Sequence, residues 1–438
     1  MNANASLGAA PVSQSERIVI IDSVRGIALL GILLMNIPYF ALPDPAFYTL
    51  TLMHEMGTIN QQAWYIINEV FDGTQRAIFS MLFGTGIMLF ISRLEKRTTG
   101  MVPAEYFIRR QLWLVVFGLF NGFVLLWTGD ILFAYGIVGI IVFAFRNLKP
   151  RQLLIAAGIC LVLGTLREEV DLYRDKNTIK KGESIAALDT TRIKLTDSQK
   201  EELDEMSDDK KKWDSVSMQK DMETNLRLIR GNYADAYKYV NVETTKIEMI
   251  EVYTSIWDIL MFMLIGVAFF KMGIITGEAP TKIYWWLFIA GLGSGLFLTN
   301  NWLQYQVQYR FNWFMYEKNV PFDYYNISRT LRSLGLFGLL MLLYKSGWFK
   351  WLFALTRPVG QMAFTNYLMQ SILCGLYFYG IGFGMFGKLQ RYEIYYVVGV
   401  VWVIEIIWSH IWLRYFRFGP LEWLWRSLTY WKRQPLKR

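Results

Sequence analysis

The chain has 438 residues, 54% of them hydrophobic and 16% aromatic, and a formal net charge of +9. Its basic residues gather at the ends of apolar runs, as at membrane flanks, so this charge does not mark a nucleic-acid partner. The two cysteines, Cys160 and Cys374, lie within apolar runs and there are only two histidines, which excludes a disulfide framework and a histidine metal cage; no metal site is expected.

In chain order, ten runs approach the roughly 20 apolar residues that cross a bilayer as a helix. They are predicted at 23–42, 75–93, 111–128, 130–146, 152–167, 252–271, 283–302, 328–345, 358–379 and 393–413. The first sixteen residues lack the basic start of a signal peptide, so the first run is expected to stay in the mature protein. The stretch 61–72 is apolar enough for a half-span, but Glu69 and Asp72 count against a full crossing. Lys and Arg collect in alternate short loops, at 93–110, 146–151, 271–282 and 345–357, and again in the tail after 413. That asymmetry predicts a multi-pass protein of the plasma membrane with both termini cytoplasmic.

Residues 168–250 form one long polar insert, predicted to lie outside the cytoplasm as a cap on the membrane domain. Its charges are interleaved, as on a solvated face, and it has too few large apolar residues for its own core. Thr196 and Gln199 have capping-box spacing, so a helix is predicted to start there, with a second over 214–230 ending at Gly231-Asn232. After the last span, Gly419-Pro420 breaks the chain, and Leu421, Leu424, Trp425 and Leu428 repeat at helical spacing. Glu422 and Arg426 fall i, i+4 on the other side, so this segment reads as a helix lying in the cytoplasmic interface. The fold class is therefore all-α and polytopic. It divides into a bundle over 1–167, the insert 168–250, a second bundle over 251–413 and an interfacial tail over 414–438.

The first span carries the most informative polar residues, Asp22, Arg25 and Asn36. Ionisable side chains at a membrane span usually face a bundle interior or a hydrated cavity. Arg25 and Asn36, eleven residues apart, fall within about 20° on one helical face and about 16 Å apart along the axis. One reading is an interfacial arginine with an amide gripping a neighbouring helix. The other is a polar seam lining a site.

Five segments together resemble the YeiB family of bacterial membrane proteins, whose C-terminal half is the domain of unknown function 418. They are Asp22–Asn36, Phe79–Gly86 (Phe-Ser-Met-Leu-Phe-Gly-Thr-Gly), Leu126–Leu132 (Leu-Trp-Thr-Gly-Asp-Ile-Leu), Gly360–Ser371 and Phe418–Tyr430. The resemblance implies a bacterial inner-membrane protein, and its first-helix motif is similar to that of transmembrane acyltransferases such as heparan-α-glucosaminide acetyltransferase. Those proteins pair an Asp/Arg-containing first helix with a histidine acting on the acceptor. Many YeiB relatives carry a histidine shortly before the Trp-x-Gly-Asp motif, where this chain has Asn121.

Acyl transfer needs a base near neutral pKa and donors for the developing oxyanion. His54, in the first outer loop, is the best-placed candidate base, with an ordinary loop histidine as the alternative; His410 reads as a packing residue. Asp130 either orients a base or caps the next helix. Asn366 and Gln370 share a face of the ninth span, either as substrate contacts or as interhelical hydrogen bonds. Arg329 and Arg332, i, i+3 at the outer start of the eighth, suit an anionic headgroup or sugar acid, or anchor the helix.

The expected reaction takes an acyl group from cytosolic acyl-CoA to an outer glycan or lipid. Arg109, Arg110, Arg146 and Lys149 would attract the donor's phosphates. No covalently held cofactor is expected; membrane lipids, and a second copy of the chain, are the expected partners. A transporter or flippase using the same seam, and a non-catalytic lipid-binding scaffold, are the competing classes.

Overall fold

A computed structural model describes residues 18–188, 194–248 and 252–438. Among the described residues every regular element is a helix, and the only strand-like pairing is an isolated bridge between Phe416 and Lys437. Helix α1 spans Val19–Ala41 and α2 Asp44–Tyr48; α3, Ile59–Val70, turns through 71–73 into α4, Thr74–Arg97. Helices α5, Val102–Phe123, and α6, Leu132–Ala144, form a hairpin, and α7 runs from Pro150 to Ala186. The insert contributes α8 (Asp197–Lys212), α9 (Ser215–Ile229) and α10 (Tyr233–Lys246).

The second bundle begins with α11, Val252–Lys271. It continues with α12, Thr281–Trp286, which passes through a wider π turn at Leu287–Leu292 into α13, Gly293–Gln308. Then come α14 (Trp313–Asn319), α15 (Tyr325–Ser346), α16 (Lys350–Gln361), α17 (Ala363–Phe378), α18 (Ile394–Tyr415) and α19 (Pro420–Tyr430).

Length and composition allow five continuous stretches to cross a membrane: Val19–Ala41, Ile59–Arg97, Thr281–Gln308, Tyr325–Ser346 and Ile394–Tyr415. Helix α18 shows why they belong in lipid. Val400, Val403, Ile404, Ile407 and Ile411 are exposed along one face, while Glu405 and Ser409 are buried on the other. A helix that turns its aliphatic side outward and its polar side inward is stable only with an apolar surround.

Several sequence-based boundaries move. The run predicted at 111–128 is helical only to Phe123, and residues 124–131 fold as an irregular hairpin with Leu126, Trp127 and Asp130 buried. The following helix has 13 residues, about 20 Å, well short of a hydrocarbon core. The run at 152–167 is part of a 37-residue helix that passes unbroken through the boundary expected at 167/168. The ninth run breaks at Met362 into α16 and α17.

In the insert, Thr196 and Gln199 make the reciprocal capping bonds at the start of α8, and a third helix, α10, follows Asn232, whose side chain caps it. The insert lies against the bundle rather than apart from it. Gly380 donates its N–H to the Ile229 carbonyl, the Arg230 guanidinium donates to the Phe386 carbonyl, and Tyr239 donates its hydroxyl to Asp44.

The tightest crossing in the bundle joins α1 to α16 and the start of α17. A Cβ at Gly26 would collide with the Thr356 carbonyl, and one at Gly360 with the Asp22 carbonyl. Only glycine lets the two backbones approach this closely, which brings the first and fourth of the five motif segments together.

Candidate functional site

An apolar cavity of about 250 Å³ opens inside this crossing. Its walls are Ile21 of α1, Phe79, Leu82 and Phe83 of α4, and Phe107 and Leu114 of α5. Leu132 and Tyr135 at the start of α6 and Tyr367 of α17 also line it. Along α4 the lining runs from Phe79 to Arg93, about 21 Å of helix axis.

The two ends differ in chemistry. One collects Arg25, Arg93, Arg110 and Arg426, with Asp22 and Glu422. Arg25 makes a 3.3 Å pair with Asp22 inside its own helix and keeps 24% of its side chain exposed. Arg110 lies with its guanidinium carbon 3.5 Å from the Trp425 ring centre and 5.1 Å from that of Phe90. It joins no ion pair among the described residues, so its direct contacts are with aromatic faces.

The other end is closed by two buried tyrosines. Tyr135 shares a 2.5 Å hydrogen bond with Ser80 and donates to the Arg76 carbonyl. The Tyr367 oxygen accepts from the Trp127 indole and the Ile131 N–H, and its hydroxyl donates to the Gly129 carbonyl, tying this end to the 124–131 hairpin.

Helix α19 forms part of the arginine end. The Glu422 carboxylate accepts from the N–H groups of Phe364 and Thr365 and from the Thr365 hydroxyl, so it caps α17 from outside the helix. Trp425 is buried and donates its indole N–H to the Arg110 carbonyl. The segment read as an interfacial helix is thus folded into the bundle. Its apolar stripe finds a protein partner before it finds lipid.

The other sequence-predicted residues are distributed as follows. Asp22 and Arg25 line the cavity; Asn36 does not, being half-buried three turns further along α1. Of the four basic residues expected to meet phosphates, Arg110 alone lines it. Arg109 pairs with Glu105 and Arg146 with Glu95, and Lys149 sits at the start of α7.

Of the two roles weighed for Asp130, the structure shows the helix cap, and its second partner is an amide rather than a base. One oxygen accepts from the Phe133 N–H, capping α6, and the other accepts at 2.7 Å from the Asn121 amide. Neither residue reaches the cavity, since Tyr367 stands between.

Arg329 and Arg332 are neither anchors nor exposed. Arg329 pairs with Asp258 at 2.5 Å, and Arg332 donates to the carbonyls of Asn68 and Glu69 at the end of α3. Their burial corrects the interfacial reading, although Arg329 borders a separate polar cavity of about 210 Å³ with Arg76, Glu168 and Asp258.

Asn366 donates to Ser409 and to the Val359 carbonyl and accepts from Trp408, while Gln370 donates to Glu405 and Leu29. These two amides join α17 to α18 and α1. His54 is exposed in a turn and borders a shallow depression against α9, so it is not brought together with Asp130 or the cavity. Among the described residues no three His, Cys, Asp or Glu side chains gather as metal ligands.

Sequence reasoning passed over Tyr135, Tyr367, Glu248 and Glu405. Single tyrosines in aromatic-rich helices carry no periodic signal, and Glu248 lies in a segment dense with charge. Glu405, a lone acid inside an apolar run, was the one signal available.

A family model described as "Protein of unknown function (DUF418)" matches residues 269–432. The chain is 28% identical to "Uncharacterized protein YxaH" of Bacillus subtilis (strain 168), over 98% of each protein. It is also 28% identical to "Uncharacterized protein YeiB" of Escherichia coli (strain K12), over 94% of this chain and 96% of that one. The chain is similar over nearly its whole length to these two relatives, and its C-terminal part to the family model. A 25% match covers 97% of both this chain and an "Uncharacterized 39.9 kDa protein in amylase 3'region" of Bacillus acidopullulyticus. No solved structure matches. In this chain, each of the five motif segments places at least one residue on the wall of the arginine-ended cavity.

Proposed function

We propose that this chain is an acyltransferase-like membrane protein that takes a phosphorylated acyl donor, of the acyl-CoA class, into this cavity and passes the acyl group to an acceptor on the opposite side. The observation that carries the reading is the cavity itself. A tunnel with aromatic and aliphatic walls suits an acyl chain, and four arginines at one end suit the phosphates of its carrier. The hydroxyls of Tyr135 and Tyr367, fixed at the far end, are the groups that could meet a polarised carbonyl. Asp130 serves as a positioning group here, since it holds the hairpin against which Tyr367 is set.

The orientation belongs to the same proposal. Ten passages are proposed, at α1, α4, α5, the short α6 together with the buried 124–131 hairpin before it, the first half of α7, α11, α12–α13, α15, α17 and α18, with both termini cytoplasmic in a bacterial inner membrane. The arginine end then faces the cytosol, where acyl-CoA is found, and the insert covers the other side.

The test uses full-length protein in nanodiscs and palmitoyl-CoA. Saturable binding is expected, weakened about tenfold or more in Arg110→Gln, because a charge-assisted hydrogen bond is worth about 1.5–3 kcal/mol. Release of free CoA in the presence of a glycan or lipid acceptor would follow. If palmitoyl-CoA does not bind while an anionic phospholipid co-purifies and Arg110→Gln releases it, acyl transfer is overturned and the lipid-binding alternative takes its place.

A further inference from the structure

Around Gly122 of α5, outside the lining of the cavity, are buried oxygen-bearing groups that the proposed reaction does not use. Glu248, 2% exposed, has both carboxylate oxygens buried without a hydrogen-bond partner. The Asn121 amide oxygen and the Thr244 hydroxyl are in the same condition, and both residues are 0% exposed. Thr244 and Glu248 are i, i+4 and face Gly122 of α5. A Cβ on Gly122 would stand 2.8 Å from the Thr244 methyl, 3.9 Å from a Glu248 carboxylate oxygen and 3.8 Å from the Trp127 carbonyl oxygen. Asn121 spends its two-donor nitrogen on Asp130 at 2.7 Å, leaving its oxygen as the free end. Among the described residues no Lys, Arg or His forms an ion pair with Glu248 or Asp130.

Four unpartnered oxygens and two neighbouring carboxyl groups leave a local deficit of positive charge whenever Glu248 is ionised. A buried carboxylate without a partner is costly, and the cost grows with a second one nearby. In keeping with this, burial and the charge of Asp130 push the Glu248 carboxyl up to about 8. A set consisting only of oxygens, with carboxylate, amide, hydroxyl and peptide carbonyl members, is the donor chemistry of a hard cation.

We infer that Glu248, Asn121, Thr244 and the Trp127 carbonyl form a binding site for a hard divalent cation of the calcium class. Glu248 supplies two oxygens, the other three groups one each, and the Asp130 carboxylate adds charge beside them. The five oxygens approach the six to eight that calcium takes, and water fills the remainder. The site would pin α10 to α5 and to the 124–131 hairpin, and so hold in place the wall against which Tyr367 is set. The inference is independent of acyl transfer.

The test is thermal unfolding of the full-length protein in nanodiscs after chelator treatment, titrated with CaCl2, MgCl2 or NaCl at constant ionic strength. A saturable rise in Tm of several degrees is expected with Ca2+, a smaller one with Mg2+, and none with Na+. Terbium provides a direct probe, since tryptophan-sensitised Tb3+ emission should appear and be competed away by Ca2+. Glu248→Gln keeps the shape and removes the charge, so it should abolish both signals while the apo protein stays folded. Thr244→Val should weaken Ca2+ by about an order of magnitude through the loss of one ligand. Two results would overturn the site. One is that no metal moves the wild-type Tm while lowering the pH does, which means that protons neutralise the pair. The other is a metal response that survives undiminished in Glu248→Gln.

Discussion

Arg25 and Arg391 show how differently two arginine–carboxylate pairs behave in one chain. Arg391 and Glu55 are each 2% exposed and meet at 2.8 Å, with Arg391 also donating to the Ala46 carbonyl. Deleting Arg391 would strand a buried carboxylate, which typically costs about 3–5 kcal/mol. Arg391→Ala should therefore lower folded yield and Tm markedly, and Glu55→Gln/Arg391→Met should recover part of the loss. Arg25 is different, because its pair with Asp22 is longer and borders an open cavity. Arg25→Ala should cost less than Arg391→Ala, on the order of 1–2 kcal/mol, since Arg25 is partly exposed while Asp22 is buried, and should weaken donor binding. Arg25→Lys should fold and still bind poorly, since the planar fork is lost. A large drop in Tm for Arg25→Ala with unchanged palmitoyl-CoA binding would return Arg25 to a structural role.

Among the elements, α19 and the insert are the two whose attachment can be tested alone. Glu422 occupies the N-terminal end of α17 and takes the place of a capping side chain within that helix. Glu422→Ala should cost about 1 kcal/mol, the usual worth of a cap, and should loosen α19 from the cavity. Hydrogen exchange would show faster exchange at Phe364, Thr365 and Leu421 than elsewhere in α17 and α19. The insert leans on Asp44, which accepts from Tyr239 and whose N–H donates to the Asn225 side chain. Burial, and then the charge of Glu243, raise the Asp44 carboxyl to about 6, above its ordinary value near 4. The folded state thus binds this proton more tightly than the unfolded one. Its contribution grows as pH falls through about 6 and disappears as pH rises above it. Exchange protection of α9 and α10 should accordingly be greater at pH 5 than at pH 8, and Asp44→Asn should flatten that difference.

At the scale of the molecule, the proposed ten crossings make one prediction that no local contact can imitate. Residues 204 and 432 are separated by an odd number of them, so Asp204→Cys and Lys432→Cys should label from opposite sides, Lys432→Cys from the cytoplasm. Both positions are exposed, and the native Cys160 and Cys374 are buried, so the background should be low. Labelling of both positions from one side would break the orientation and move the arginine end of the cavity out of the cytosol.

The sequence by itself determined that the chain is helical and belongs in a membrane, because apolar length and the placement of Lys and Arg are one-dimensional properties. It also located the α8 cap and the break before α19, which depend only on neighbours in the chain. It singled out Asp22, Arg25 and Arg110, since charge beside an apolar run is conspicuous in any window. The tertiary structure alone decided that these three share a wall with Tyr135, Tyr367 and Arg426, through glycine crossings between segments more than 300 residues apart. It removed His54 and Asn36 from the cavity and turned Arg329 and Arg332 inward. Helical periodicity tells which residues share a face, but the partner of that face is set by packing. In a bundle with lipid on one side and protein on the other, both surroundings are apolar, and hydropathy does not distinguish them.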